Sequence, residues 1–144
     1  GSENIIEGLN RLKFSFNSYT IDRISIEAGI ESFKDDEYFE KTNAKIIQTR
    51  EKTTEKLKKL GFKVLNSSAN FIFISHNKVF ASDLYKQLKE NGVLVRYFAK
   101  DRIDNYLRVT IGTDEEMGIF IEKLEEIIFQ KEKILIWRFI SMTY

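Results

Sequence analysis

Two arginines interrupt apolar segments that are typical of β-strands. Arg96 lies in Val93-Leu94-Val95-Arg96-Tyr97-Phe98, and Arg108 lies in Tyr106-Leu107-Arg108-Val109-Thr110-Ile111-Gly112. A guanidinium fixed on a strand presents a planar fork of N–H donors that can grip a carboxylate or a phosphate through two hydrogen bonds. Strand alternation equally allows both side chains to face solvent on a half-buried sheet. The spacing alone leaves an anion site and a solvated surface as open alternatives.

The remaining residue types offer little for a self-contained active site. His76, the one histidine, stands at the end of a predicted strand without a Ser or Cys nucleophile near it in sequence, which favours a surface or capping role. A single histidine without cysteine makes a poor metal site. Asp114-Glu115-Glu116 is typical of a helix start, and the scattered glycines form no phosphate-binding loop. The sequence predicts no metal site and no catalytic residue within this chain.

Length and composition limit the class of protein. With 144 residues, 42% of them hydrophobic, the chain can bury one core and is not expected to be disordered. A formal net charge of +1 argues against a nucleic-acid partner, and no apolar run approaches the ~20 residues of a membrane span. The absence of cysteine suits a reducing compartment, so we expect a cytoplasmic protein.

Helical periodicity dominates the first 61 residues. Apolar residues at helical spacing predict helices within residues 3–12 and 20–33, with a loop over 13–18 between them. The second helix carries two apolar stripes, which is typical of a helix buried on both sides. Asp35-Asp36 as N-cap and Gly61 after the last turn predict a long helix over 35–61, whose stretch from Asp36 to Leu60 would be about 38 Å long.

After Gly61 the apolar period changes to two. The pattern predicts two strands, a helix, two more strands and a final helix that opens with the capping box Thr113-Asp114-Glu115-Glu116. The predicted strands are Phe62–Leu65, Phe71–Ser75, Val93–Phe98 and Tyr106–Ile111. This ββαββα order over residues 62–130 predicts an α+β fold, with a small, mostly antiparallel sheet covered on one face by helices.

The two ends of the chain stand apart from this scheme. Gly1-Ser2 without an initiator Met is expected to be a scar left by proteolytic removal of an expression tag. Residues 131–144 contain an almost continuous apolar run. That tail is interpreted either as a last strand or helix on the core, or as a segment that faces a partner.

An ordered set of motifs resembles the C-terminal part of histidinol-phosphate aminotransferases, which belong to the fold-type I enzymes dependent on pyridoxal phosphate. The main signature is Tyr106–Thr113 followed by Glu115-Glu116. Supporting matches cover Ile5 to Ile128 in the order of the family: Phe16-Asn17, residues 28–33, Arg50-Glu51, Leu60-Gly61-Phe62, Ser67-Ser68-Ala69-Asn70-Phe71 and Gly92-Val93-Leu94-Val95-Arg96.

The resemblance implies a domain organisation and residue roles. Residues 3–34 are then N-terminal helices that pack on a large domain outside this chain, and residues 35–61 form the helix that joins it to the small C-terminal domain. By resemblance, Arg108 binds the α-carboxylate of the amino-acid substrate, Arg96 holds the anionic end of the other substrate, and Asn17 lies near the mouth of the site.

The same resemblance implies what this chain should lack. In the family, the Schiff-base lysine and the residues that hold pyridoxal phosphate lie in the large domain, and the lysine motif would precede Glu3. We therefore expect an inactive fragment of an enzyme that uses pyridoxal phosphate. The whole enzyme would act on glutamate and a phosphorylated amino compound, and we expect a homo-oligomer, since severed apolar faces tend to self-associate.

Two alternatives remain open from the sequence. Sibling enzymes, including threonine-phosphate decarboxylase and aromatic aminotransferases, share much of this segment. The ββαββα order also suits a free-standing module that binds a small ligand or RNA, with Phe71, Phe73 and Tyr97 as base-stacking residues.

Overall fold

The computed structural model describes residues 1–16 and 19–141, without the side chains of Phe16, Glu132 and residues 134–141. The chain divides into two compact units, residues 1–41 and residues 42–144. The elements in chain order are α1 (Glu3–Phe16), α2 (Arg23–Lys34), α3 (Asp36–Lys59), β1 (Phe62–Val64), β2 (Phe71–His76), α4 (Ala81–Glu90), β3 (Arg96–Tyr97), β4 (Leu107–Thr110) and α5 (Asp114–Ser141).

The first unit consists of exposed helices. The loop predicted from residue 13 is wrong as far as the described residues go, because α1 continues through Phe16. The segment contains no Gly or Pro to end the helix, and Ser15 Oγ donates to the Leu12 carbonyl one turn earlier. Asp22 caps α2 by accepting a hydrogen bond from the Ser25 N–H at 2.9 Å.

The two apolar stripes of α2 are exposed, so the expected burial on both sides is not found in this chain. No residue of α2 is buried, and Ile24 and Phe33 are 83% and 90% exposed. Helix α1 exposes the apolar side chains of Ile5, Leu9 and Leu12 as well. Exposed apolar surface of this extent is typical of a face that another protein surface covers.

The capping residues of α3 agree with the sequence prediction. Asp35 accepts a hydrogen bond from the Tyr38 N–H at 3.1 Å, and Gly61 follows the helix with φ +84°. Glycine adopts this left-handed conformation without the clash that a Cβ would cause. Thr53 and Leu57 in the second half of the helix are buried, whereas Phe39 near its start is exposed.

The four strands form one antiparallel sheet in the order β1-β2-β4-β3. In β2 and β4 every second residue points to the same face of the sheet. One face carries Ile72, Ile74, Leu107 and Val109, all buried. This arrangement confirms the predicted α+β fold with a small antiparallel sheet.

The core lies between that face and residues of α3, α4 and α5. Each of these helices contributes buried apolar residues to the core. The helical members of the core are Leu57 from α3, Ala81, Leu84 and Leu88 from α4, and Met117, Phe120, Ile121, Leu124 and Ile127 from α5.

The predicted strand over 93–98 is reduced to Arg96–Tyr97. Gly92 adopts φ +78°, and the Val93 N–H donates to the Leu88 carbonyl at 2.8 Å, so this part of the segment ends α4 rather than extending the sheet. Leu94 is 79% exposed and takes no part in the core. Phe80 precedes α4 as its N-cap and is exposed.

The start of α5 forms the predicted capping box. The Thr113 N–H donates to Glu116 Oε2 at 2.8 Å, and the Glu116 N–H donates to Thr113 Oγ1 at 3.2 Å. Thr49 Oγ1 of α3 donates to the Asp114 carboxylate at 2.7 Å. This hydrogen bond is the main reason that the pKa of Asp114 lies below its ordinary value, with a smaller contribution from the positive charge of Lys52.

Helix α5 extends beyond its predicted end. It continues to Ser141, so residues 131–141 of the tail continue a helix and do not form a strand. The helix prediction is therefore correct for those residues. Whether their side chains meet the core or a partner stays a prediction, since most of these side chains lie outside the described ones.

Candidate functional site

The two arginines singled out from the sequence lie directly opposite each other on neighbouring strands. Arg96 of β3 pairs with Arg108 of β4 in the antiparallel register. Both side chains are exposed, whereas Leu107 and Val109, on either side of Arg108, are buried. The arginines therefore share the sheet face opposite the core, called the open face below. Directly opposed residues have Cβ atoms about 4.5–5.5 Å apart, so the two guanidiniums can act on the same bound molecule.

Aromatic rings surround both guanidiniums on the open face. The Arg108 guanidinium carbon lies 5.4 Å from the ring centre of Phe71 and 5.9 Å from that of Phe98. The Arg96 guanidinium carbon lies 5.5 Å from the same Phe98 ring. These distances fall within the range of cation–π attraction. The rings therefore attract the guanidiniums and restrict where they lie on the open face.

Two further rings complete an aromatic cluster of Phe71, Phe73, Phe98 and Tyr106. Phe73 pairs with Arg108 in the register of β2 and β4. Its ring stacks on Tyr106 at 4.8 Å between centres and meets Phe98 edge-on at 6.2 Å. Both geometries are favoured by aromatic quadrupoles.

The electrostatics of the open face favour an anion. Like charges directly opposite on neighbouring strands destabilise a sheet. Among the described residues, neither Arg96 nor Arg108 forms an ion pair with a carboxylate. Their guanidinium edges remain available for a carboxylate or a phosphate, which both offer the matching acceptor geometry. An anionic ligand would relieve the repulsion between the two arginines.

The segment that leads into Phe71 is fixed by hydrogen bonds to α3 and within itself. Arg50 Nη1 of α3 donates to the Ala69 carbonyl at 2.8 Å. Ser67 Oγ donates to the Phe71 carbonyl at 2.6 Å, and the Ala69 N–H donates to Ser67 Oγ at 3.2 Å. These contacts set where β2 begins, and with it the position of the Phe71 ring beside Arg108.

Other residues considered from the sequence lie elsewhere. Asn17 lies outside the described residues.

His76 ends β2 and is buried. Its ring contacts the Phe62 ring at 4.8 Å between centres and accepts a hydrogen bond from the Lys78 N–H at 3.2 Å. The expected surface position is therefore wrong, and the ring instead accepts a hydrogen bond from the turn that follows β2. Tyr97 stacks on Tyr85 of α4, on the face opposite Phe71 and Phe73, so the three proposed base-stacking residues do not share one surface.

The four strands carry a single lysine. Lys63 lies on β1, at the opposite edge of the sheet from Arg96 on β3. No lysine of the strands therefore lies beside the arginine pair.

The part of the chain that the structure describes offers neither a metal site nor a membrane-spanning helix. Within residues 1–16 and 19–141, no three His, Cys, Asp or Glu side chains lie together in a way that could hold a metal ion. None of the described helices has the length and apolar character needed to cross a membrane.

The aromatic partners of the arginines were partly readable in the sequence. Arg96 and Phe98, Tyr106 and Arg108, and Phe71 and Phe73 are each two residues apart. Strand periodicity therefore places each pair on one face. The sequence prediction singled out Phe71 and Phe73 for base stacking but missed Phe98 and Tyr106 altogether. That three such pairs meet on one face depends on strand order and register.

Comparisons with known proteins place this arrangement in a family. The sequence profile for aminotransferase class I and II matches residues 1–124. The histidinol-phosphate aminotransferase of Brachyspira hyodysenteriae is 64% identical over 128 residues, which cover 89% of this chain and 36% of that relative. The chain thus spans little more than a third of the length of that curated relative.

Two solved structures share the fold. The histidinol-phosphate aminotransferase from Clostridium acetobutylicum superposes with a TM-score of 0.72 at 23% identity, covering 86% of this chain and 38% of that one. The enzyme from Sinorhizobium meliloti, solved in complex with pyridoxal-5'-phosphate, gives 0.72 at 22% identity and covers 85% and 35%. A profile match over most of the residues, together with this fold, shows that the chain belongs to the aminotransferase class I and II family.

Proposed function

We propose that this chain is the C-terminal part of a histidinol-phosphate aminotransferase dependent on pyridoxal phosphate. The whole enzyme would transfer an amino group between glutamate and imidazole-acetol phosphate in histidine biosynthesis. The high identity to the Brachyspira hyodysenteriae enzyme supports this substrate pair. Threonine-phosphate decarboxylase and aromatic aminotransferases are the sibling activities that an assay must separate from it.

The observation that carries the proposal is the cross-strand pair Arg96 and Arg108 on the open face. Both substrates of the proposed reaction are anions, and a strand-borne guanidinium binds a carboxylate or phosphate in a fixed orientation. We assign the α-carboxylate of the amino-acid substrate to Arg108 and the phosphate of the other substrate to Arg96. Asn17 is proposed to lie near the mouth of the same site.

Within this proposal the chain orients substrates and leaves the bond-making chemistry to the rest of the enzyme. Pyridoxal phosphate, when bound, supplies the electron sink for amino transfer. The arginine pair fixes the anionic groups of the substrate, so that its amino or keto carbon is presented to the cofactor in one orientation. Because the sheet places no lysine beside the arginines, we propose that the 144-residue chain alone is inactive.

The exposed apolar residues of α1 and α2 support a larger assembly. Ile24 and Phe33 are almost fully exposed, and a face of this kind is expected to be covered in the intact protein. We propose that the large domain covers this face. We also propose that the whole enzyme is a homo-oligomer, specifically a homodimer. A chain without cysteine is compatible with our further proposal of a cytoplasmic location.

The test is steady-state kinetics on the full-length enzyme that contains this chain. Arg108→Ala removes a charge-assisted hydrogen-bond pair of about 1.5–3 kcal/mol, so KM for glutamate should rise about 10- to 100-fold. The absorbance of bound pyridoxal phosphate should stay unchanged. Arg96→Ala should raise KM for imidazole-acetol phosphate more than KM for glutamate.

The matched control is Lys63→Ala, which removes a cation on β1, at the far edge of the sheet from Arg96. Its kinetics should equal those of the unmodified enzyme. Unchanged kinetics of Arg108→Ala would contradict the assignment of the site. Turnover of threonine phosphate or an aromatic amino acid in preference to histidinol phosphate would contradict the proposed substrate. It would leave the proposed arginine site unchanged.

A further inference from the structure

Phe98 occupies a special position on the open face because its ring is shared by both arginines. The guanidinium carbons of Arg96 and Arg108 lie 5.5 Å and 5.9 Å from its centre. Phe71, in contrast, contacts Arg108 alone. Phe98 is thus the one ring among the described residues that touches the two cations together.

The ring of Phe98 is itself held in place. Phe73 meets it edge-on at 6.2 Å, and Phe73 is stacked on Tyr106 at 4.8 Å. Phe98 is half-buried, so its orientation is set by neighbouring rings rather than by solvent. A supported ring can fix the side chains that lie on it.

Two flexible, like-charged side chains that face each other would otherwise spread apart. Coulomb repulsion separates the guanidiniums, and each arginine has many rotamers to lose when it binds a ligand. A shared aromatic face attracts both cations through its quadrupole. The attraction opposes the repulsion and reduces the ordering that binding requires.

We propose that Phe98 is a positioning residue that holds Arg96 and Arg108 in the mutual orientation in which they bind substrate. This inference rests on the proposed function, and it adds a role for a residue that need not touch the substrate. Since one ring orients both guanidiniums, its loss should weaken the binding of both anionic substrates together. Loss of either arginine, in contrast, affects mainly one substrate.

The experiment compares Phe98→Leu and Phe98→Tyr in the full-length holoenzyme. Phe98→Leu keeps an apolar side chain without a π face, and KM for both substrates should rise about 2- to 5-fold, since the arginine assigned to each substrate loses one exposed cation–π contact. The value of kcat should change less than twofold. Phe98→Tyr keeps the ring and should restore both KM values.

The control variant is Phe80→Leu, the same change at a ring that is 70% exposed and lies outside the sheet, at the N-cap of α4. It should leave both KM values unchanged. Should Phe98→Leu fail to fold, Phe98→Met replaces it, because methionine fills similar space without an aromatic face. Thermal unfolding of each variant separates a general loss of stability from an effect on binding.

Three outcomes would overturn the positioning role: unchanged KM values in Phe98→Leu, a rise for one substrate only, or failure of Phe98→Tyr to restore binding. The role of Phe98 can fail while the proposed function stands. In that case Arg108→Ala still raises KM for glutamate and Phe98→Leu does not. If the proposed function fails, Arg108→Ala itself has no effect.

Discussion

Truncation of Leu107 to alanine tests the two-faced character of strand β4. Leu107 is completely buried and lies between Ile74 of β2 and Tyr97 of β3. Leu→Ala changes at such sites cost about 2.7–5 kcal/mol, because they remove apolar contacts and leave a cavity. A position at the centre of the sheet has little freedom to collapse, so we expect at least 3 kcal/mol.

Arg108 follows Leu107 directly but faces the other side of the sheet. Arg108→Ala removes contacts with two rings, worth about 0.5–1 kcal/mol each at an exposed site. It also relieves repulsion from Arg96, worth about 0.2–1 kcal/mol. The free energy of unfolding should therefore fall by no more than about 1.8 kcal/mol. Adjacent substitutions on one strand thus have very different effects on stability.

Urea unfolding followed by circular dichroism measures both effects. With a slope of about 1.5 kcal/mol per molar urea, a loss of 3 kcal/mol lowers the midpoint by about 2 M. Leu94→Ala is the matched control, because the same atoms are removed from a side chain that is 79% exposed. A cost below 1 kcal/mol for Leu107→Ala, or an equal cost for Leu94→Ala, would refute the assignment of the two faces.

Two further substitutions test single features of the fold. Gly61→Ala places a Cβ 3.3 Å from His76 Nε2 in a residue with φ +84°. Urea unfolding should show a loss of about 1–2 kcal/mol, whereas Gly118→Ala, inside α5 with free space around it, should be neutral or stabilising. Thr49→Val removes the hydrogen bond that lowers the pKa of Asp114. A lowered carboxyl pKa stabilises the fold above the unfolded-state value of about 3.9, and this contribution is lost as the pH falls through the folded-state pKa. Carboxyl NMR titration of Thr49→Val should therefore give a higher pKa for Asp114 and a stability that depends less on pH below 4, and an unchanged pKa would contradict the role of Thr49.

Local signals in the sequence predicted most element boundaries within residues 62–130. Thr113 and Glu116 form the capping box that their spacing indicates, and Gly61 adopts the left-handed conformation expected after a helix. Strand alternation around Arg108 placed its neighbours in the core. In each case the signal lies within about one turn or one strand, where sequence spacing determines geometry.

The errors occur where contacts between distant residues decide. Val93 and Val95 favour a strand by composition, but the Val93 N–H is used to end α4, which leaves only Arg96–Tyr97 in the sheet. The apolar stripes of α2 predicted burial, yet no residue of this helix is buried in the present chain. Apolar periodicity predicts that a helix face is buried in the intact protein. It does not indicate whether residues of the same chain bury it.

The candidate site, too, was predictable only where local sequence spacing determines geometry. Spacing identified Arg96 and Arg108 but left their roles open, because alternation alone cannot tell an anion site from a solvated surface. The register that places them opposite each other and the ring of Phe98 that contacts both depend on how β3 and β4 pair. No local pattern contains that information.

The most direct test of the arginine site is a crystal structure of the full-length enzyme with a phosphorylated, non-reactive substrate analogue. We expect phosphate or carboxylate oxygens of the analogue to lie about 2.7–2.9 Å from guanidinium nitrogens of Arg108 and Arg96, which is the distance of charge-assisted hydrogen bonds. An analogue bound elsewhere, with both guanidiniums facing bulk solvent, would contradict it.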